Sequence, residues 1–219
     1  MPVYGKNRST RARPNYPKLG QRINVDRNIL RKRTNKRYYP ANRWDVNRTP
    51  YLDVAKMLGF SPRVFLRKRI RETGKPATVI DWGCGTGDAI RTLGEEKNVR
   101  AYGYSKDSYA EWERPSHVQF IQESPQRALR YFKKMGGVDL IYSHSGIHHL
   151  AGKRENGNVQ FLIVHINELI PMLKVGGRIV FNPVVKTGFT EYWQEALDPT
   201  QKKIRVVVKD FTIFIERLA

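Results

Sequence analysis

The sequence predicts an α/β fold: a doubly wound, mostly parallel sheet preceded by an irregular basic N-terminal arm. Three observations lead there. Residues 77–93 read as strand, glycine turn and helix. Short apolar runs of strand length then alternate with helical patterns, the spacing of βαβ units. Two β-rich runs close the chain with only Lys209-Asp210 between them, which predicts an antiparallel pair. The boundaries expected are an arm over residues 1–48 and one folded domain over 49–219.

The arm is dominated by Lys, Arg, Asn, Pro and Tyr and has no sustained period of 2 or 3.6. Its densest part is Arg31, Lys32, Arg33, Lys36, Arg37, Tyr38, Tyr39, Arg43 and Trp44. Cations along a phosphate backbone give affinity without sequence reading, and the aromatics offer stacking faces to unpaired bases. Charge supports this: residues 1–75 carry 21 Lys/Arg against 4 Asp/Glu, so +17 of the chain's net +20 lies in its first third. A polyanionic partner accounts for that asymmetry, and an anionic membrane surface is the weaker alternative. Irregular, basic and dotted with aromatics and prolines, the arm resembles ribosomal-protein extensions, and that resemblance implies RNA ahead of DNA. A solubilising or targeting tail is the plainer reading of the same residues.

Thr49-Pro50 and Ser61-Pro62 are helix entries, each an N-cap residue followed by proline at the first helical position. The first helix ends at Gly59 and the second at Gly74. The second has an apolar side of Val64, Phe65, Leu66 and Ile70. Its basic side is Arg63, Arg67, Lys68, Arg69 and Arg71, which either extends the arm's surface or is simply solvated.

Thr78-Val79-Ile80-Asp81 is a short apolar strand, and Gly83, Gly85 and Gly87 follow at alternate positions before the helix of residues 88–93. Glycine takes positive φ and lets a ligand approach the backbone without a Cβ between them. A dinucleotide fingerprint needs G-x-G-x-x-G and a phosphate loop ends in Gly-Lys-Ser/Thr; neither fits. Cys84 is the chain's single cysteine, so internal disulfides and multi-cysteine zinc sites are excluded, and no metal is expected. Its place inside the turn calls for a small packing side chain rather than a nucleophile. No stretch nears the roughly 18 apolar residues of a membrane span.

Further strands are expected over residues 99–104, 117–121, 138–143, 179–183, 204–208 and 211–215. Helices are expected over residues 125–134, 161–173 and 190–197. The segment Leu173-Lys174-Val175-Gly176-Gly177-Arg178 is read as a helix end plus a turn.

An acidic residue two before the first glycine of G-x-G-x-G resembles the first motif of Rossmann-like S-adenosylmethionine-dependent methyltransferases. The later elements follow that family's order over about residues 50–219, with a seven-stranded sheet expected. The resemblance implies S-adenosyl-L-methionine as cofactor. It places the methionine portion at Gly83, Cys84, Gly85 and Gly87, loop organisation at Asp81, and adenine at Glu123. The family's ribose-binding carboxylate falls at Ser105, the clearest departure from its pattern. Strand four runs through Ser143, a further candidate cofactor-binding residue, into a loop ending His148-His149-Leu150, which resembles the fourth motif near the transferred methyl group. Either histidine is a candidate general base, or serves to position the loop. Asn182-Pro183 lacks the second proline and the aromatic of the amino-methylating motif.

The function expected is methyl transfer to RNA, ribosomal RNA or an RNA–protein particle, in the cytoplasm, with no membrane partner. Two alternatives remain. One is a non-catalytic platform on an RNA–protein particle, which Ser105 favours, and the other is a small-molecule methyltransferase with an incidental tail.

Overall fold

A computed structural model describes residues 49–144, 146, 158–182, 190–198, 203–209 and 212–219. Seven strands form one sheet: β1 (Ala77–Trp82), β2 (Val99–Ser105), β3 (Val118–Gln122), β4 (Val138–His144), β5 (Leu173–Asn182), β6 (Ile204–Lys209) and β7 (Thr212–Arg217). Their order is β3-β2-β1-β4-β5-β7-β6. The first five pair in parallel, and β7 alone runs against its neighbours, inserted between β5 and β6. The expected α/β fold, mostly parallel and seven-stranded, is therefore present, including the closing antiparallel pair.

The two faces are covered by different helices. On one lie α1 (Tyr51–Leu58), α2 (Pro62–Thr73) and α3 (Asp88–Gly94); on the other lie α4 (Pro125–Lys134), α5 (Asn158–Leu169) and α6 (Thr190–Leu197). Alternation along β1 explains the division. Val79 faces the α1–α3 layer with Leu66, Ala89 and Ile90, while Ile80 and Trp82 face the α4–α6 layer with Phe132, Ile163 and Trp193. All six β1 residues are buried, as a central parallel strand requires.

The entry read at Ser61-Pro62 is present at α2, where the Ser61 hydroxyl accepts from the N–H three residues on, and Ser124-Pro125 opens α4 in the same way. The cap expected at Thr49 is absent, since Pro50 takes that position with no side-chain bond. Pro50 itself precedes α1, and Gly59 and Gly74 close α1 and α2 in left-handed conformations.

The helix expected over residues 161–173 also differs. The helix read to residue 173 stops at Leu169, because Pro171 allows only a short 3-10 turn over Ile170–Met172. Strand β5 already begins at Leu173, and the run read as a turn is a bulge inside it: pairing jumps from Val138↔Leu173 to Leu140↔Arg178. Gly176 lies at φ +73°, and a Cβ on Gly177 would sit 2.8 Å from the Val138 carbonyl oxygen.

At the amino ends of the strands, Asp139 is fully buried. It accepts from Lys174 Nζ at 2.6 Å, the Thr78 N–H at 2.8 Å and Arg69 Nε at 3.2 Å. Edge strand β6 is protected by α6 and the residue after it. The Val206 and Val208 N–H groups donate to Gln194 and Thr190 side chains, and the Lys203 and Ile204 N–H groups to Asp198.

Candidate functional site

Strand order reverses at β1, whose parallel neighbours are β2 on one side and β4 on the other. Such a switch leaves a crevice beyond the carboxyl ends of the strands, where ligands of open α/β sheets bind. The glycine turn lies there. Gly83 and Cys84 N–H both donate to the Tyr104 carbonyl at 2.8 and 2.9 Å, tying the loop to the end of β2. Gly87 N–H donates to the Cys84 carbonyl at 2.9 Å and closes the turn. Gly83, Gly85 and Gly87 have φ of +92°, +54° and +83°. A side chain in this region costs about 1–3 kcal/mol before any clash. Space forbids one at Gly83 and Gly87 too. A Cβ would come 2.8 Å from Gly146 Cα in the first case and 2.4 Å from the Phe120 ring in the second.

Asp81 lies under this turn, 5% exposed, beside its register neighbour Tyr142. Burial pushes its carboxyl up to about 7, partly opposed by the Tyr142 phenol. That phenol is directed at Asp81 without reaching good hydrogen-bond geometry. The Cys84 thiol is pushed up by its own burial and then by Asp81, so it remains protonated and packs within the turn.

Ser105 ends β2, and the Glu123 N–H donates to its carbonyl at 3.3 Å, so both candidate residues sit side by side at the rim. The Ser105 hydroxyl is already engaged. It accepts from the Asp107 N–H at 3.3 Å and hydrogen-bonds the Tyr109 phenol. Glu123 is half-buried, with Arg127 Nη1 3.6 Å away. The structure thus brings Asp81, Gly83, Cys84, Gly85, Gly87, Ser105 and Glu123 together. Ser143 ends up on the other face of the sheet from Asp81, fully buried, its hydroxyl unpartnered among the described residues. His148 and His149 lie outside the described residues, as do Arg31, Lys32, Arg33, Lys36, Arg37, Tyr38, Tyr39, Arg43 and Trp44.

Two features escape sequence reading. The segment after β2 forms a strap over the turn: Trp112, in a 3-10 turn over Ala110–Glu113, donates from Nε1 to the Gly85 carbonyl at 2.9 Å and stacks on Phe120 with centroids 4.8 Å apart. Arg91 covers the other part of Phe120 and donates to the Glu111 and Arg114 carbonyls. Gly146 is the second, pressed against Trp82 and Gly83 so closely that a Cβ would lie 2.8 Å from the Trp82 carbonyl oxygen. Its only sequence signal is a glycine between strand four and the histidines.

Acidic groups surround the turn: Asp81 beneath it, Asp88 opening α3, Asp107 and Glu111 in the strap, and Glu123 at the end of β3. A pyrophosphate would meet repulsion there.

No family model matches the chain, and no curated protein matches it. Solved structures do. The plantazolicin methyltransferase BpumL, in complex with S-adenosylhomocysteine, aligns over 80% of this chain and 87% of its own, with TM-score 0.56 and 11% identity. A candidate rRNA methylase from Clostridium thermocellum aligns over 78% and 99%, with TM-score 0.51 and 20% identity. Monomeric WbdD aligns over 87% of this chain with TM-score 0.52 and 16% identity, the match spanning 48% of its length. The match to the methyltransferase MycE likewise spans about half of that protein, 50%. The fold is that of the Rossmann-like methyltransferases.

Proposed function

We propose that the protein is an S-adenosylmethionine-dependent methyltransferase acting on RNA. The observation that carries the first half is the left-handed glycine turn over buried Asp81 at the switch point of the sheet. The solved neighbours support it: of the three described above with TM-scores above 0.5, two are methyltransferases by description, one of them holding S-adenosylhomocysteine. The RNA half rests on the charge of residues 1–75.

Under this reading Gly83, Gly85 and Gly87 admit the methionine portion against bare backbone. Asp81 provides negative charge for its ammonium and sulfonium groups, and Glu123 meets the adenine amino group. The Ser143 hydroxyl is a buried group that a bound ligand or the loop after β4 can satisfy. The cofactor supplies an activated methyl on a good leaving group. The chain's task is then alignment and exclusion of water, with His148 or His149 available to take a proton from the nucleophile.

The non-enzymatic platform keeps one specific observation in its favour. Ser105 stands where two bonds to a carboxylate would hold the ribose, and its hydroxyl is occupied by Asp107 and Tyr109. Charge-assisted bonds are about twice as strong as neutral ones, so the substitution weakens the cofactor's hold.

Calorimetric titration of cofactor-free protein with S-adenosylmethionine and S-adenosylhomocysteine tests the reading without knowledge of the acceptor. Micromolar binding that disappears in Gly85→Arg supports it, since the arginine meets both a left-handed backbone and the Trp112 bond. No binding to the wild type favours the platform.

A further inference from the structure

Helix α4 carries a stripe whose chemistry the turn and the arm do not use. Arg127, Arg130, Tyr131 and Lys134 follow i, i+3, i+4, i+7 spacing and so share one helix face. All four are exposed, opposite the buried Ala128, Leu129 and Phe132. Strand β2 extends the stripe. Arg100 is exposed and Tyr102 half-buried on the sheet face that α4 covers. Tyr102 packs edge-on against Phe132 at 5.9 Å, near enough to Tyr131 and Arg100 for both to bear on its phenol. Gln119, exposed on edge strand β3, is the register partner of Tyr102.

A basic helix face is ordinarily a solvated one, and α2 shows how this chain neutralises such a face. Arg63 and Arg67 pair with Glu96, Lys68 with Glu72, and Arg69 with Glu72 and Asp139. The α4 stripe is treated differently. Arg100, Arg130 and Lys134 have no carboxylate within ion-pair distance among the described residues. Arg127 has only a weak contact with Glu123. Lys133, off the stripe, takes Glu168 at 2.5 Å. Beyond residue 75 the chain is nearly neutral, with 19 of its 40 Lys/Arg against 16 of its 20 Asp/Glu, so four cations and two tyrosines on one face are a local excess.

We infer that this face, formed by Arg100, Tyr102, Arg127, Arg130, Tyr131 and Lys134, is a docking surface for single-stranded RNA. The inference rests on the RNA reading above and places part of the contact on the folded domain rather than the arm. Charge complementarity selects a polyanion, and tyrosines interleaved with the cations select unpaired bases over a membrane surface. The stripe begins at Arg127, four residues after Glu123, so a strand lying along α4 is led to the rim of the candidate cofactor site.

The test uses the full chain and a fluorescein-labelled single-stranded RNA of about 20 nucleotides, long enough for more than one stacking site. Fluorescence anisotropy is followed between roughly 50 and 200 mM salt. Arg100→Gln, Arg130→Gln and Lys134→Gln together should weaken binding about 10- to 100-fold and lower the log–log salt slope by about 2. Tyr131→Ala should weaken it about 5- to 100-fold and leave the slope unchanged. Lys56→Gln, Lys75→Gln and Lys97→Gln remove equal charge elsewhere and should have a much smaller effect. If the α4 triple matches this control, the surface is overturned. It is overturned equally if photo-crosslinks from thiouridine-bearing RNA avoid α4, or if the triple loses binding to phosphatidylserine vesicles while RNA binding is unchanged. Titration of the same variants with S-adenosylhomocysteine separates the two readings. An RNA defect with cofactor binding intact supports the surface. An RNA defect in a protein that never binds cofactor supports the surface and removes the methyltransferase reading.

Discussion

Asp81 holds a carboxyl pushed up to about 7 by burial, where an exposed aspartate titrates near 3.8. Between those values the folded chain keeps a proton that the unfolded chain has released, so this group's stabilising contribution is full below about 3.8 and is lost as pH rises through 7. Asp81→Asn cannot ionise and escapes that loss. Relative to wild type, the variant should gain about 2–3 kcal/mol between pH 5 and pH 8, read by urea unfolding at both. A gap independent of pH would show that the carboxyl is not raised. Binding has the opposite sign. A ligand with sulfonium and ammonium charges prefers the ionised form, so S-adenosylmethionine affinity should rise as pH passes 7 in wild type and stay flat in Asp81→Asn.

Among elements, the amino end of β4 is where three others are fastened: Asp139 holds Arg69 of α2, Lys174 of the β5 bulge and the Thr78 N–H of β1. Asp139→Ala leaves Lys174 and Arg69 without this partner and the Thr78 N–H buried. The expected loss is about 3–5 kcal/mol in chemical denaturation; a loss under about 1 kcal/mol would mean that the three groups find water. Nothing in the local pattern marks Asp139, which lies 61, 70 and 35 positions from its partners. The same blindness affects α2. Its periodicity gave a basic side correctly, but the Glu96 that pairs with Arg63 and Arg67 lies just beyond α3, 29 positions from Arg67. Strand existence was readable because burial on a parallel sheet leaves continuous apolar runs. The start of β5 was not, because Gly176-Gly177 reads as a turn and becomes a bulge inside the strand. At the site, the glycine turn after β1 was legible from its spacing, while the roles given to its glycines and to Asp81 came from the family resemblance. Trp112 was not, since a loop aromatic carries no period and its bond to Gly85 is a tertiary event.

At the scale of the molecule, the charge is split between a first third with +17 and a remainder near neutrality. If RNA is the partner of that first third, removing residues 1–48 should weaken binding strongly and flatten its salt dependence. Filter binding across a salt series checks this, and unchanged affinity at every salt would remove the arm from the interface. Methyl transfer to a small acceptor, by contrast, should survive the deletion. The site is assembled by the ends of β1 to β4 and the turn after β1, while β5 to β7 complete the sheet away from it.

The insertion of β7 between β5 and β6 has a consequence for the order in which the chain is made. Strand β5 is finished at Asn182, but the partner of its outer edge ends at Arg217. At roughly 5–20 residues per second, that partner follows about 2–7 s later. During that interval the N–H and C=O groups of Arg178 to Phe181, later paired with Glu216 to Ile213, form an open sheet edge on a nascent protein. A chain halted anywhere between the two points therefore retains the whole turn around Asp81 and an unprotected strand beside it, and self-association rather than unfolding is its characteristic failure.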